Sequence, residues 1–533
     1  MNSGAHFPCR SRQALAITVL LVWVAFHSPG ADTQSASRKK TKPDASDAFF
    51  NDPAVRTFEF EIQPASLAAL RRSPRTYVPG TVREGTRVLT NVGIHLKGMG
   101  SFRTVDEKAS FVLKVDEFAE NQDYCELTKL MFNNSVQDPT YIVEGLATQL
   151  FRDAGLPAAR VTHARVRLNG RDLGLYVVIE AMNKRFLKRH FQSARGNLYE
   201  AYVRDIDTPM DQDNGEDTSQ ADVRALVDAC GIADPSRRWP ALREVLDIDQ
   251  FVSFAAMEIL VGHWDGYTIH TNNYRLYHEP VAGKTYFITH GLDWAFRRPN
   301  ISIQPPLKSL VGRAVFQTAE GRRMFEERIG TLFTNVFRVP VITNRLEHAL
   351  ARVRANGGLD PTERARMERA AASIRQRIEL RGVRVAEQLA GIRPPQTKFD
   401  DGNLARLGGW RDEYDRGEML MDQPVFEHRP TLHLKAGGGR SRGSWRTQVF
   451  LPRGRYLFEG IIRCQGVTGG SAGLRISGGQ RNTGVSGQTE WRAISHPFEV
   501  TEEDGLDVEF VCDFYGTAGE VWFDRDAFRL RKL

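Results

Sequence analysis

Hydrophobic and polar positions alternate in some stretches of this chain and recur at helical spacing in others. Arg56 to Ile62 (R-T-F-E-F-E-I) alternates strictly and predicts a strand. Pro64 to Arg72 predicts a short helix. Thr81 to Val115 is strand-rich, with V-G-I-H-L-K-G and S-F-V-L-K-V as its clearest runs. Tyr141 to Ala154 predicts an amphipathic helix with Ile142, Leu146, Leu150 and Phe151 on one face. Asp138-Pro139-Thr140 opens it and Gly155-Leu156-Pro157 stops it. His163 to Leu168 and Leu173 to Ile179 predict two strands joined through Asn169-Gly170, a strong hairpin signal. Lys184 to Phe191 predicts a short helix, Arg238 to Leu260 a longer helical stretch, and Gly312 to Leu389 is helical almost throughout. Beyond Phe399 glycine rises and short alternating stretches recur between turn residues, the pattern of a β-sandwich.

The predicted class is therefore α+β, a mixed domain over 56–395 followed by an all-β, jelly-roll-like sandwich over 399–533. The chain has 533 residues, 41% apolar and 26% charged, enough for several domains. Arg10 and Arg12 precede an apolar run from Ala14 to Phe26, and Ser28 and Gly30 suit a cleavage site. This predicts a signal peptide over 1–30, a linker over 31–55 and an exported protein, with no membrane span left after cleavage. Formal charge is +7, and losing residues 1–30 removes two Arg and no acid, leaving +5. No basic cluster interleaves with aromatics, which argues against a nucleic-acid partner. Cys125, Cys230, Cys464 and Cys512 form no C-x-x-C, which argues against structural zinc. In an exported chain a Cys464–Cys512 disulfide is the first expectation and Cys125–Cys230 the second. Asp205 to Asp222 contains D-Q-D-N-G, but its glycine falls too early for an EF-hand, so it is expected to be a solvated acidic insert.

Candidate chemistry concentrates between Val261 and Phe296. Asp265 follows an apolar helix, Asn272 and Asn273 open a strand, and Asp293 follows a second strand. Phosphoryl transfer needs one carboxylate to accept a hydroxyl proton, and an amide and a second carboxylate to hold metal on phosphates. The order Asp265, Asn272 or Asn273, Asp293 matches that need and echoes the protein-kinase order at different spacing. Upstream, Gly98 and Gly100 in L-K-G-M-G-S-F could bring backbone N–H groups to phosphate, or form an ordinary turn. Lys114 is the leading phosphate-binding lysine, with Lys108 and Lys97 as rivals, against a solvent-facing strand end. Glu144 could pair with that lysine or lie on a surface face. Glu180 ends the strand that would enter a nucleotide hinge.

The motifs G-I-H-L-K-G-M-G-S-F, K-A-S-F-V-L-K-V-D-E-F, D-P-T-Y-I-V-E, V-R-L-N-G-R-D-L-G-L-Y-V-V-I-E, G-N-L-Y-E, H-W-D-G-Y, N-N-Y-R-L-Y and G-L-D-W-A-F occur in that order. Together they resemble the CotH kinase family over roughly Phe58 to Phe296. The resemblance implies an atypical, secreted protein-kinase-like fold in two lobes, about 56–182 and 183–395, using ATP with Mg or Mn. It implies Asp265 as the catalytic-loop acid and Asp293 as the metal-binding acid. Many family members carry D-x-D where this chain has Gly291-Leu292-Asp293, so one acid is missing. The expected reaction is transfer of the ATP γ-phosphoryl group to Ser or Thr of an envelope or extracellular protein. The alternative is an inactive surface scaffold that attaches to glycan or matrix through its sandwich. Trp410, Trp445, Trp491, Tyr515 and Trp522 would stack on sugar in that case, or else pack the core.

Overall fold

The alternation at Phe58 and Phe60 becomes the wall of a barrel in the computed structural model, which describes residues 45–391, 397–481, 484–501 and 505–533. The expected signal peptide, most of the expected linker and the 392–395 boundary lie outside the described residues. Seven strands close the barrel: β1 (Arg56–Glu61), β2 (Val78–Glu84), β3 (Arg87–Lys97), β4 (Ser110–Lys114), β5 (Lys129–Asn133), β6 (Val161–Leu168) and β7 (Arg171–Glu180). Neighbours are antiparallel except β1 and β6, whose parallel pairing closes the ring. Phe58, Phe60, Phe111 and Phe132 meet edge-to-face inside it. Asn169 and Gly170, both at positive φ, make the β6–β7 hairpin, and the Asn169 side chain bonds the backbone of Ile62 at both N–H and C=O.

Helices α1 (Ala45–Asn51) and α2 (Pro64–Arg72) flank the barrel strands in sequence, and α3 (Val143–Asp153) lies between β5 and β6. The α3 helix starts two residues later than its apolar pattern predicts. The Asp138 carboxylate accepts from the N–H groups of Ile142 and Val143, both at 2.9 Å, so an acid ahead of the helix satisfies its first donors.

A second core holds α3 against a mostly helical region. That region comprises α4 (Lys184–His190), β8 (Asn197–Glu200), β9 (Asp211–Asn214), α5 (Ala221–Gly231), α6 (Pro235–Val245), α7 (Ile248–Leu260), α8 (Tyr267–His270), β10 (Tyr274–Glu279) and β11 (Lys284–Thr289). It continues through α9 (Leu310–Phe316), α10 (Ala319–Asn335), α11 (Val339–Asn356) and α12 (Pro361–Leu389). Strands β11, β10, β8 and β9 form one sheet. The acidic 205–222 stretch is solvated over much of its length, with Asp207, Asp211, Asp213, Glu216 and Asp217 exposed, as expected, but its ends are tied into the fold. Asp205 accepts from Tyr267 Oη at 2.9 Å and Leu310 N at 2.6 Å, Asp213 pairs with buried Arg275, and Asp222 accepts from Tyr199 Oη at 2.7 Å.

The C-terminal region is one nine-stranded sheet around a third core. Its strands are β12 (Leu404–Arg406), β13 (Arg411–Asp422), β14 (Val425–Phe426), β15 (Arg429–Leu451), β16 (Gly454–Ile476), β17 (Val485–Val500), β18 (Leu506–Gly516), β19 (Ala518–Asp524) and β20 (Arg529–Lys532). The long strands change partners along their length. β15 passes from β19 to β18, and β16 from β20 and β19 to β18, so the sheet turns over on itself. All four described cysteines are free. Cys512 sits opposite Trp445 and Leu474, whereas Cys464 sits opposite Val521 and Thr489, so the strand register separates the expected pair. Trp445 and Trp522 are buried, and Trp410 stacks on Phe528 at 4.4 Å. Trp491 donates to Glu427 at 2.8 Å, and Tyr515 stands exposed.

This sheet grips the segment that follows Asp293. Asp507 accepts from Asn300 N at 2.8 Å and Asn300 Nδ2 at 2.7 Å, and Gln448 Nε2 donates to the Arg297 carbonyl at 2.9 Å. Leaving two buried donors unpaired costs about 1–3 kcal/mol per group. Asp507→Ala is therefore expected to lower the unfolding free energy by about that much, seen as a lower urea midpoint of the whole chain. An unchanged midpoint would show that this grip contributes nothing to stability.

Candidate active site

The loop carrying Asp265 is shaped from below. Helix α7 is buried from Phe251 to Leu260, and its Glu258 carboxylate accepts from Tyr267 N and Thr268 N at 2.9 Å and Thr268 Oγ1 at 2.7 Å. Burial raises the Glu258 carboxyl to about 7, with those hydrogen bonds opposing. Gly266 permits the approach, since a Cβ there would stand 2.3 Å from Glu258 Oε1. Glu258 does not stand out in the sequence, because nothing local distinguishes it from the apolar residues around it.

Asp265 then takes hydrogen bonds from Asn272 Nδ2 at 3.3 Å and Asn273 Nδ2 at 3.0 Å. Burial raises its carboxyl above the usual range, against the Asn272 bond, nearby His270 and the Asn273 bond. The two amides are not equivalent. Asn272 is committed on both sides, its oxygen accepting from Val203 N at 3.2 Å. The Asn273 oxygen accepts no hydrogen bond among the described residues and faces Gly291, where a Cβ would lie 2.7 Å away. The Asn273 carbonyl accepts from His290 N at 3.0 Å, which draws the Asp265 loop and the Asp293 turn together.

Asp293 lies in a short 3-10 turn, Leu292–Trp294, packed against α3. Its carboxyl rises to about 6 through burial and the adjacent Asp138 carboxylate, with Arg297 and Lys97 opposing. Glu144 on α3 rises to about 8 through burial and repulsion from Asp293, with Lys97 and the Leu292 N–H opposing. Glu144 is buried, so the surface-face alternative does not hold, and its Oε2 has no hydrogen-bond partner. Burial pushes the Lys97 ammonium down, against the pull of Glu144 and Asp293.

The lysine beside Glu144 is thus Lys97, not Lys114. Strand register decides this. Lys114 lies opposite Gly93, and Lys97 lies opposite Ser110, at the far end of the β3–β4 pairing. Lys114 is partly exposed and bonds Glu117 Oε2 at 2.6 Å. Lys108 donates to Tyr141 Oη at 3.0 Å between the Tyr141 and Tyr176 rings and stays outside the cluster. Glu180, expected at a nucleotide hinge, is buried in an ion-pair cluster with two arginines. Burial alone would raise it, yet Arg189 and Arg160 grip it and hold it below the usual carboxylate range. Gly98, at φ +103°, and exposed Gly100 form the turn directly after Lys97.

No three His, Cys, Asp or Glu side chains among the described residues already form a metal-binding group. The donor chemistry nonetheless suits a hard cation. Asp293 and Asp265 offer carboxylate oxygens and Asn273 an amide oxygen. The Glu144 oxygen without a hydrogen-bond partner among the described residues, and the raised carboxyls of Glu144 and Asp293, mark acids poorly compensated for burial, which a divalent cation would relieve.

Both raised carboxyls bind protons in the folded state that they release when unfolded. Between the ordinary carboxylate range near 4 and the raised values near 6 and 8, stability falls as pH rises. Thermal midpoints without ligand should therefore decline from pH 5 to pH 8. Glu144→Gln should flatten that decline and be the more stable protein at pH 8. Parallel profiles for the two proteins would rule out a proton-holding Glu144.

A family model described as CotH kinase protein matches residues 94–380, more than half of the chain. Two similar curated proteins of Rhizopus delemar, spore coat protein homolog 1 and invasin CotH7, are each 24% identical, over 200 and 181 residues. Those alignments cover 33% and 30% of this chain, and 30% and 29% of the relatives, so the chain spans less than a third of their length. Among solved structures, the Helicobacter pylori proinflammatory kinase CtkA gives a TM-score of 0.28 at 10% identity, covering 55% of this chain and 96% of that one. TmCBM61 in complex with beta-1,4-galactotriose gives 0.19 at 15% identity, covering 26% of this chain and 95% of that one. Scores so low carry no weight for fold or function. The family match rests on the sequence, and by it the chain belongs to the CotH kinase protein family.

Proposed function

We propose that this protein is an exported phosphotransferase that moves the γ-phosphoryl group of ATP to a Ser or Thr hydroxyl of an envelope or extracellular protein. The observation that carries this reading is the convergence of Lys97, Glu144 and Asp293 in one buried charge cluster, beside the Asp265–Asn273 pair. Family membership supports the reaction class. The N-terminal signal pattern, and relatives named as a spore coat protein homolog and an invasin, support export.

In this reading Asp265 takes the proton of the acceptor hydroxyl as the new P–O bond forms and the bond to ADP breaks. Burial makes it a stronger base than an exposed Asp, and the two amides keep its carboxylate oriented. Lys97 supplies positive charge to the phosphates, and Glu144 favours its charged form. Asp293 and the Asn273 oxygen would hold Mg or Mn, which when bound neutralises charge on the phosphates. Gly98 and Gly100 lie next to Lys97, where their backbone N–H groups could approach the same phosphates.

ATP with Mn should raise the unfolding temperature of the purified chain. Ligand at 100 times its dissociation constant adds about 2.7 kcal/mol. Asp293→Ala and Lys97→Ala should lose this response and Lys114→Ala should keep it. Asp265→Asn should keep binding but slow phosphate transfer on the order of 10³-fold, about 4 kcal/mol in the barrier. A folded protein that shows no response to millimolar ATP and Mn would end the phosphotransferase reading.

A further inference from the structure

In the segments that frame Asp265, Val203, Thr271, Asn273 and Phe296 all have left-handed backbone, at φ +49°, +51°, +52° and +61°. Asparagine tolerates that region, whereas a β-branched or bulky residue there is strained. Three of the four have a visible cause. Thr271 caps the end of α8, its N–H donating to the Tyr267 carbonyl at 3.0 Å. Asn273 aims its amide at the Asp265 carboxylate. Phe296 is buried and donates its N–H to the Val261 carbonyl at 2.7 Å. Val203 gains little burial in return for its strain. Its side chain is 55% exposed, and Tyr202 before it is 46% exposed. Strain that packing does not explain gathers where a chain meets a ligand.

The Val203 backbone is nonetheless fixed. Its N–H donates to Asn272 Oδ1 at 3.2 Å, and Asn272 Nδ2 donates in turn to the Asp265 carboxylate at 3.3 Å. One residue on, the Arg204 carbonyl accepts from Tyr274 Oη at 2.9 Å. The loop is thus tied down through its backbone while the two side chains it presents face solvent. Tyr202 lies toward the barrel. Burial first, then Glu200 and Asp213, push its hydroxyl up, with Arg275 and Arg75 opposing. Arg75 donates to the Leu96 carbonyl at 3.0 Å and to the Gly98 carbonyl. Tyr202 and Val203 therefore stand on the rim between the Asp265 loop and the turn after Lys97. Of the charges nearby, Arg275 pairs with Glu200 and Asp213, and Arg75 bonds those two carbonyls, so what the loop itself presents is apolar.

We propose that Tyr202 and Val203 select the acceptor, taking an aliphatic or aromatic side chain that lies one or two residues from the Ser or Thr to be phosphorylated. The inference rests on the phosphotransferase reading. In that reading the acceptor hydroxyl reaches the Asp265 carboxylate, and Val203 is two hydrogen bonds away from the same carboxylate. Extended peptide advances about 3.3 Å per residue, so a near neighbour of the acceptor residue meets this loop. An apolar neighbour gains by leaving water against Tyr202 and Val203, whereas a charged one would be desolvated there without a partner. The strained backbone has a role in this arrangement, because it turns the Val203 side chain outward while its N–H stays on Asn272.

The test is phosphate transfer from ATP with Mn, by the purified chain, to synthetic peptide pools. Each pool carries one Ser, with one flanking position fixed as Leu, Phe, Asp or Lys and the others randomised. Wild type should favour Leu or Phe over Asp and Lys at least about fivefold at one of the two nearest positions on either side. Val203→Gly keeps the backbone donor and suits the left-handed backbone, so it should fold and lose most of that preference. Tyr202→Ala, a second and independent variant, should weaken the preference as well. A pool profile left unchanged by both substitutions overturns the proposal, since a merely structural loop would not alter selectivity. The rise in unfolding temperature with ATP and Mn, read on the same preparations, separates the two readings. A retained rise with a flat or empty pool profile in wild type overturns this proposal alone, and an absent rise ends the phosphotransferase reading together with it.

Discussion

The segment from Gly291 to Asn300 is held from several sides, by the β10–β11 side, by α3 and its approach, and by the C-terminal sheet. The β10–β11 side holds its start through the bond from His290 N to the Asn273 carbonyl. Helix α3 presses on its 3-10 turn with Glu144. Arg297 reaches the Gln137 carbonyl ahead of α3, and the C-terminal sheet takes its far end through Gln448 and Asp507. Asp293 therefore stands where it does because two separately packed cores, the one shared by α3 and β10–β11 and the one in the C-terminal sheet, agree on this turn. Disturbing either of them is felt at the same carboxylate. A site built this way is preorganised by packing distributed over the whole chain rather than by its own loop.

That distribution also explains what could be read from the sequence. The β6–β7 hairpin was legible because Asn169-Gly170 is a local signal with a local cause. The α3 and α7 helices were legible from apolar spacing, and Asp265 and Asp293 from acids placed after apolar elements. Lys97 and Lys114 both end alternating stretches that look alike, and only the β3–β4 register sends one into the cluster and leaves the other to Glu117. Register is a pairing between strands, so a single strand does not contain it. Barrel closure has the same character, since Arg56 pairs with Ala164 across more than a hundred residues. The acidic 205–222 stretch is exposed over much of its length, as its composition suggests, but the partners that anchor it were not legible for a related reason. Its acids find Tyr267, Tyr199 and Arg275 in elements that composition cannot place beside them.

Charge is unevenly distributed inside the molecule, with opposite signs on the two sides of the Asp293 turn. On the α3 side Asp138, Glu144 and Asp293 act on one another with Lys97 and Arg297 opposing, and all three acids are pushed up, by burial first. On the α12 side Arg297, Arg411 and Arg446 pair with Glu413 and Glu509, and Arg377 beside them is pushed down, by burial first. Each imbalance costs stability, because buried charge without a partner is poorly solvated. Arg297 is the only side chain among these that acts on both sides, lowering Asp293 and contributing to the holding of Glu413.

Gly291 marks how this chain departs from the D-x-D pattern without simply losing a group. Its backbone is left-handed at φ +60°, and the Asn273 side chain packs over it closely enough that a Cβ would stand 2.7 Å from the amide oxygen. An aspartate here would have to displace that amide. The same amide donates to the Asp265 carboxylate at 3.0 Å and to the Asp265 carbonyl at 3.1 Å, so displacing it would also release the acid that the loop is built to present. Glycine at 291 and asparagine at 273 are therefore one arrangement. A neutral oxygen stands where a second carboxylate would have added charge to a turn that already carries more negative charge than Lys97 offsets.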